Sequence, residues 1–102
     1  MLVEKYQEGA VVAFKVVNGD EIVAKIKSQD DLGFVVEKPC TVIPSPKGLG
    51  LVQSLFTGDI NKTVRLDKTH VMMHSPVVSD VENHYIQTTT GIEPVTKGGI
   101  IT

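Results

Sequence analysis

Apolar and polar residues alternate along most of this chain with the period of a β-strand, and the breaks in that pattern fall at turn-forming residues. Ala10 to Val17 is a near-continuous apolar run broken only by Lys15, which predicts a strand buried on most of both sides. So many β-branched residues in so few positions disfavour a helix there. Asn18-Gly19 then predicts a tight hairpin with both residues at positive φ. Beyond it, Ile22, Ala24 and Ile26 form the apolar face of a second strand, with Val23, Lys25 and Lys27 on a largely wet face. A turn at Gln29 to Gly33 leads to a third strand, Phe34 to Val36, and completes a three-stranded meander that ends near Pro39.

Pro39 to Ile43 prolongs the third strand past a bend, and Pro44 to Gly48 is a loop. Leu49 to Phe56 is a fourth strand, Thr57 to Lys62 is rich in turn residues, and Val64 to Leu66 leads through Asp67-Lys68-Thr69 to a fifth strand at His70 to His74. The expectation is a mainly β fold, a small five-stranded bent antiparallel sheet closing into a partly open barrel over residues 10–77. Residues 1–9 form a short helix, with Leu2 and Tyr6 on one face and Gly9 at its end, or an extended arm; local pattern does not choose between them. Ser79 and Glu82 make a capping box for a helix from about Asp80 to Thr88, within residues 78–91, that docks by Val78, Val81, Tyr85 and Ile86. Residues 92–102 read as a flexible tail in which Ile100 and Ile101 could pin a neighbour.

At 102 residues and 41% hydrophobic content, one small core of Val, Ile and Leu is expected. A net charge of −2 gives the whole molecule no electrostatic footprint of a nucleic-acid binder, so such binding would need a local basic patch. The single Cys40 excludes an intramolecular disulfide and fits a reducing, cytoplasmic compartment. No apolar run is long enough to span a bilayer, and the first residues do not form a signal peptide.

Catalytic and metal chemistry find little support. His70 and His74 on one strand face would lie roughly 13 Å apart, too far to share an ion, so no metal site is expected. Cys40 beside Pro39 reads as an inert buried thiol, and Asp30-Asp31 as turn carboxylates that cap their own backbone. Gly48-Leu49-Gly50 lacks the helix that a phosphate loop needs. Neither an enzyme nor a bound cofactor is expected.

The string Val17-x-Gly19-x-x-Ile22-x-Ala24-x-Ile26-x-x-x-Asp30 resembles the first motif of Sm and Sm-like proteins without a gap, Ala24 standing where the family has a glycine. A small residue suits the sharp bend a closing sheet needs there. The second motif is matched loosely: counting back from Ser75-Pro76 places Asp67-Lys68 at the family's Arg-Gly turn. The resemblance implies a non-catalytic ring that binds RNA or single-stranded DNA at its pore, through Asp30 and Phe34 on one side and Lys68, Thr69 and His70 on the other. Phe34 takes the family's Asn position, and Asp67 puts a carboxylate where an Arg is common.

Leu49, Leu51 and Val52, with Val71, Met72 and Met73, form apolar, uncharged strands without proline, of the kind that seek a partner. In the Sm family such fourth and fifth strands pair between neighbouring subunits, which implies a homo-oligomeric ring of about five to seven copies. Two alternatives stay open: a scaffold ring that has lost the nucleotide pocket and holds a protein partner through its C-terminal helix, and a monomeric peptide-binding barrel.

Overall fold

Strand β1 (Val11–Val16) is apolar toward both faces of the sheet, and there is a core on each side of it. The computed structural model describes residues 5–55 and 57–90. Met1 to Glu4, Phe56, Gly91 and the tail from 92 to 102, all assigned above to elements, lie outside the described residues.

Strands β2 (Glu21–Asp30), β3 (Gly33–Ser45), β4 (Gly48–Gln53), β5 (Thr63–Asp67) and β6 (Val71–Pro76) complete an antiparallel sheet, followed by the helix α1 (Ser79–Thr90). The strand order is β4-β3-β2-β1-β6, with β5 also paired to β3. Six strands replace the five expected because the presumed fourth strand and the Val64 to Leu66 segment occupy the same edge of β3 as separate pieces. The first half of β3, Gly33 to Glu37, pairs with β5, and the second half, Cys40 to Ser45, pairs with β4. The change of partner falls at Lys38-Pro39, where Pro39 has no N–H for the ladder and Lys38 adopts a left-handed φ of 49°.

The two cores explain the unbroken apolar run. Val12, Phe14 and Val16 pack with Ala24, Ile26, Phe34 and Val36 inside the curl of the sheet. Val11 and Val23 point the other way, against Cys40 and Tyr85. Val23 therefore does not lie on a wet face: it is 1% exposed, under α1. The register of β2 against β3 shifts between Val23 and Lys25, and the buried Ala24 lies within that irregularity, where the strand bends.

The first hairpin is built differently from the expectation. Among the described residues only glycines and Lys38 have positive φ, so Asn18 does not; Gly19 does, at 96°. The Gly19 N–H bonds to Val16 O at 2.8 Å and the Val16 N–H to Asp20 O at 3.0 Å, a three-residue loop whose last residue is left-handed. Asn18 instead accepts the Asp20 N–H on its side chain at 3.0 Å.

At the start of the described residues, Lys5 to Gln7 are not helical; the chain turns at Glu8-Gly9 and joins β2 through Gly9 N–H to Ile26 O at 2.7 Å. At the other end, α1 begins a residue earlier than expected, and the Glu82 N–H bonds to Val78 O at 3.0 Å rather than to the Ser79 hydroxyl. Its docked stripe is Val81, Tyr85 and Thr89, four apart, whereas Val78 and Ile86 face solvent. Thr89 is tolerated in the interior because its hydroxyl donates to Tyr85 O at 2.9 Å.

Candidate nucleic-acid interface

The turn between β2 and β3 and the 3-10 turn Lys68–His70 between β5 and β6 are stitched together by one backbone hydrogen bond, Lys68 N–H to Leu32 O at 2.9 Å. Gly33 permits that approach: a Cβ there would stand 2.3 Å from the Leu66 carbonyl oxygen. The two halves of the site expected from sequence, Asp30 with Phe34 and Lys68 with its neighbours, thus meet in space.

Asp30 is fully engaged. Its Oδ1 accepts the Leu32 and Gly33 N–H groups at 2.8 and 3.1 Å, and Arg65 on β5 donates to both carboxylate oxygens, at 2.9 and 3.2 Å. The Arg65 guanidinium, then the Leu32 N–H, holds its pKa down at about 2. Arg65 was not singled out from sequence. It lies between the inward Val64 and Leu66, and that alternation only marks it as outward-facing.

Asp67 caps the 3-10 turn, its Oδ1 accepting both the N–H and the hydroxyl of Thr69 at 3.1 and 3.0 Å. These bonds keep the Asp67 carboxyl below its ordinary pKa and use the Thr69 hydroxyl as a donor within the turn. Lys68 and His70 are exposed beside it.

Phe34 does not present a free ring face. It is 5% exposed, with its ring edge-on to Phe14 at 4.9 Å and to His74 at 5.2 Å, because the turn before it directs the side chain into the inner core. His74, on β6 rather than on a strand shared with His70, lies above Phe34 and forms a 2.6 Å hydrogen bond between its Nδ1 and the Tyr6 hydroxyl. Tyr6 also sets its ring edge-on to His74, at 5.5 Å. In the sequence Tyr6 is legible only as an apolar position of the N-terminal segment, and His74 only as the end of a strand.

Beside these groups lies a recess of about 330 Å³, lined among others by Lys5, Gln29, Asp30, Phe34, Lys68 and His74. It brings together Asp30, Phe34 and Lys68, while Thr69 and His70 lie outside its lining. Among the described residues, Lys5, Lys68 and two exposed carboxylates, Asp30 and Asp31, line it, and Arg65 pairs with one of the carboxylates.

Of the residues expected at a subunit interface, Leu49, Met72 and Met73 are 61–66% exposed. Leu51 and Val71 are half-buried and pack on their own chain, Leu51 against the core under α1 and Val71 against the inner core. Val52 is half-buried in β4. The strands that carry these residues, β4 and β6, do not pair with each other; they stand at opposite ends of the strand order.

No protein-family model and no curated protein matches this chain. Among solved structures it is similar to the P. aerophilum SmAP1 heptamer, with 19% identity and a TM-score of 0.50 over 71% of this chain and 84% of that one. The fold is Sm-like. At this identity the likeness is one of architecture alone.

Proposed function

We propose that this chain assembles head to tail into a ring of about five to seven copies and binds RNA or single-stranded DNA, without catalysis, at the recess beside Lys68. The observation that carries the reading is the pair of open sheet edges, β6 at one end and β4 with β5 at the other, with Leu49, Met72 and Met73 exposed along them. Long apolar edges of this kind are aggregation sites unless another chain covers them. The structural neighbour is a heptamer, and the shared fold supports the same closure here.

In such a ring the recess, which borders β6 through Val71 and His74, repeats around the axis. Lys68 and Lys5 offer charge to phosphates, and the exposed His74 ring in the lining takes over the stacking role that Phe34 is too buried to fill. Stacking on an aromatic ring contributes about 1–3 kcal/mol per base.

A second reading has its own support: a scaffold ring that binds a protein rather than nucleic acid. Phe34 is packed away, Asp67 adjoins Lys68, and two apolar side chains, Val78 just before α1 and Ile86 on it, are exposed. Titration of labelled oligo-U and oligo-A at several salt concentrations separates the two readings. Nucleic-acid binding weakens steeply with salt, and Lys68→Glu abolishes it without changing the assembled mass. An assembled ring with no binding at low salt supports the scaffold.

A further inference from the structure

The ladder between β3 and β5 has the recess beside Lys68 at its Gly33–Asp67 end, and a different recess at its Glu37–Thr63 end. This second hollow, of about 240 Å³, is lined by Lys25, Lys38, Lys62, Asn61, Glu37 and Ile60. Lys25 pairs in register with Glu37, and Glu37 with Thr63, so one row across three strands brings the side chain of β2 beside the segment that enters β5. Among the described residues, three lysines and one glutamate therefore line this hollow, in a molecule whose net charge is −2.

Lys27, two residues along β2, is paired with Glu8 at 2.9 Å, whereas among the described residues the ammonium groups of Lys25, Lys38 and Lys62 have no hydrogen bond or ion pair. Position rather than the lack of a partner sets this cluster apart, since among the described residues Lys5, Lys15, Lys47 and Lys68 have no ion pair either. Lys38 is also the one described non-glycine residue at positive φ, a conformation in which glycine would be unstrained. That backbone is pinned from α1, where the Tyr85 hydroxyl donates to the carbonyls of Glu37 at 3.0 Å and Lys38 at 2.9 Å. A lysine is thus held at a strained corner by a buried tyrosine, next to two other unpaired lysines and an amide donor.

We propose that this recess binds a phosphate group, as a second anion site separate from the one at Lys68. Three lysines and the Asn61 amide supply donors without a fixed fork, which suits the tetrahedral oxygens of a phosphate better than a planar carboxylate. The phosphate is either a free anion or one unit of a nucleic-acid backbone; the latter rests on the function proposed above.

Amide spectra of the full chain, titrated separately with inorganic phosphate and with a short oligo-U, test the site. Saturable shifts at Lys38, Asn61 and Lys62 with inorganic phosphate, lost in Lys62→Glu and in the triple Lys25→Gln, Lys38→Gln, Lys62→Gln variant, establish it. Shifts with oligo-U as well assign the phosphate to a nucleic-acid backbone, and the triple variant then lowers the slope of log affinity against log salt by about 0.7 per contacting lysine. Shifts with phosphate alone assign a free anion. No shift with either probe, or shifts that persist in the triple variant, overturn the proposal. Lys68→Glu leaves these shifts in place, so failure at one recess is distinguishable from failure at the other.

Discussion

Arg65 grips Asp30 with two nitrogens, at 2.9 and 3.2 Å, across the end of the β3–β5 ladder. The carboxylate thereby ties the turn before β3 to the strand that leads into Lys68, and the geometry of the recess depends on it. Both partners are about half exposed, so the pair serves chiefly to position the turn and is weakened by salt.

Acid should loosen this junction in a defined window. The folded-state pKa of Asp30 is depressed to about 2, below its unfolded value, so its stabilising contribution is present above about pH 4 and is lost as the pH falls toward 2. Denaturant titrations between pH 2 and 6 should show Arg65→Gln less stable than the parent at pH 6, with the gap closing toward pH 2. A gap independent of pH contradicts the pairing.

Gly33→Ala should cost about 1–3 kcal/mol of stability, because the new Cβ meets a backbone oxygen, which cannot swing aside as a side chain would. Chemical denaturation measures the loss, and protection of the Lys68 amide from hydrogen exchange should fall with it.

Tyr85→Phe preserves the ring in the outer core but leaves the Glu37 and Lys38 carbonyls without the hydroxyl that they share. A destabilisation on the order of 1–3 kcal/mol is expected in chemical denaturation. An unchanged midpoint would mean that α1 is not latched through this residue.

The strand pattern made the meander and its turns legible in the sequence, because β-branched runs, Gly19 and the Asp30 turn act locally. The second core was not legible. Val23 and Tyr85 lie far apart in the chain, and only the folded sheet shows that α1 covers the outer face, so Val23 read as one apolar residue on a wet side. The split at Lys38-Pro39 was foreshadowed by the proline, whereas the change of partner strand depends on pairings with β4 and β5 that no local pattern encodes. Asp30 and Lys68, which the motif spacing singled out, both line the recess. Arg65, Tyr6 and His74 were missed because their roles arise from contacts across the sheet.

Self-association through the open edges is the claim on which the functional reading stands. Leu49→Asp and Met72→Asp put charges on exposed edge positions, where a lone subunit would tolerate them within about 0.5 kcal/mol but a ring contact would not. Both should lower the assembled mass while leaving the subunit folded. The most direct measurement is the mass of the parent protein by light scattering or native mass spectrometry: the expected result is about five to seven times the 11.1 kDa chain, and a stable species of one chain at micromolar concentration would contradict the account.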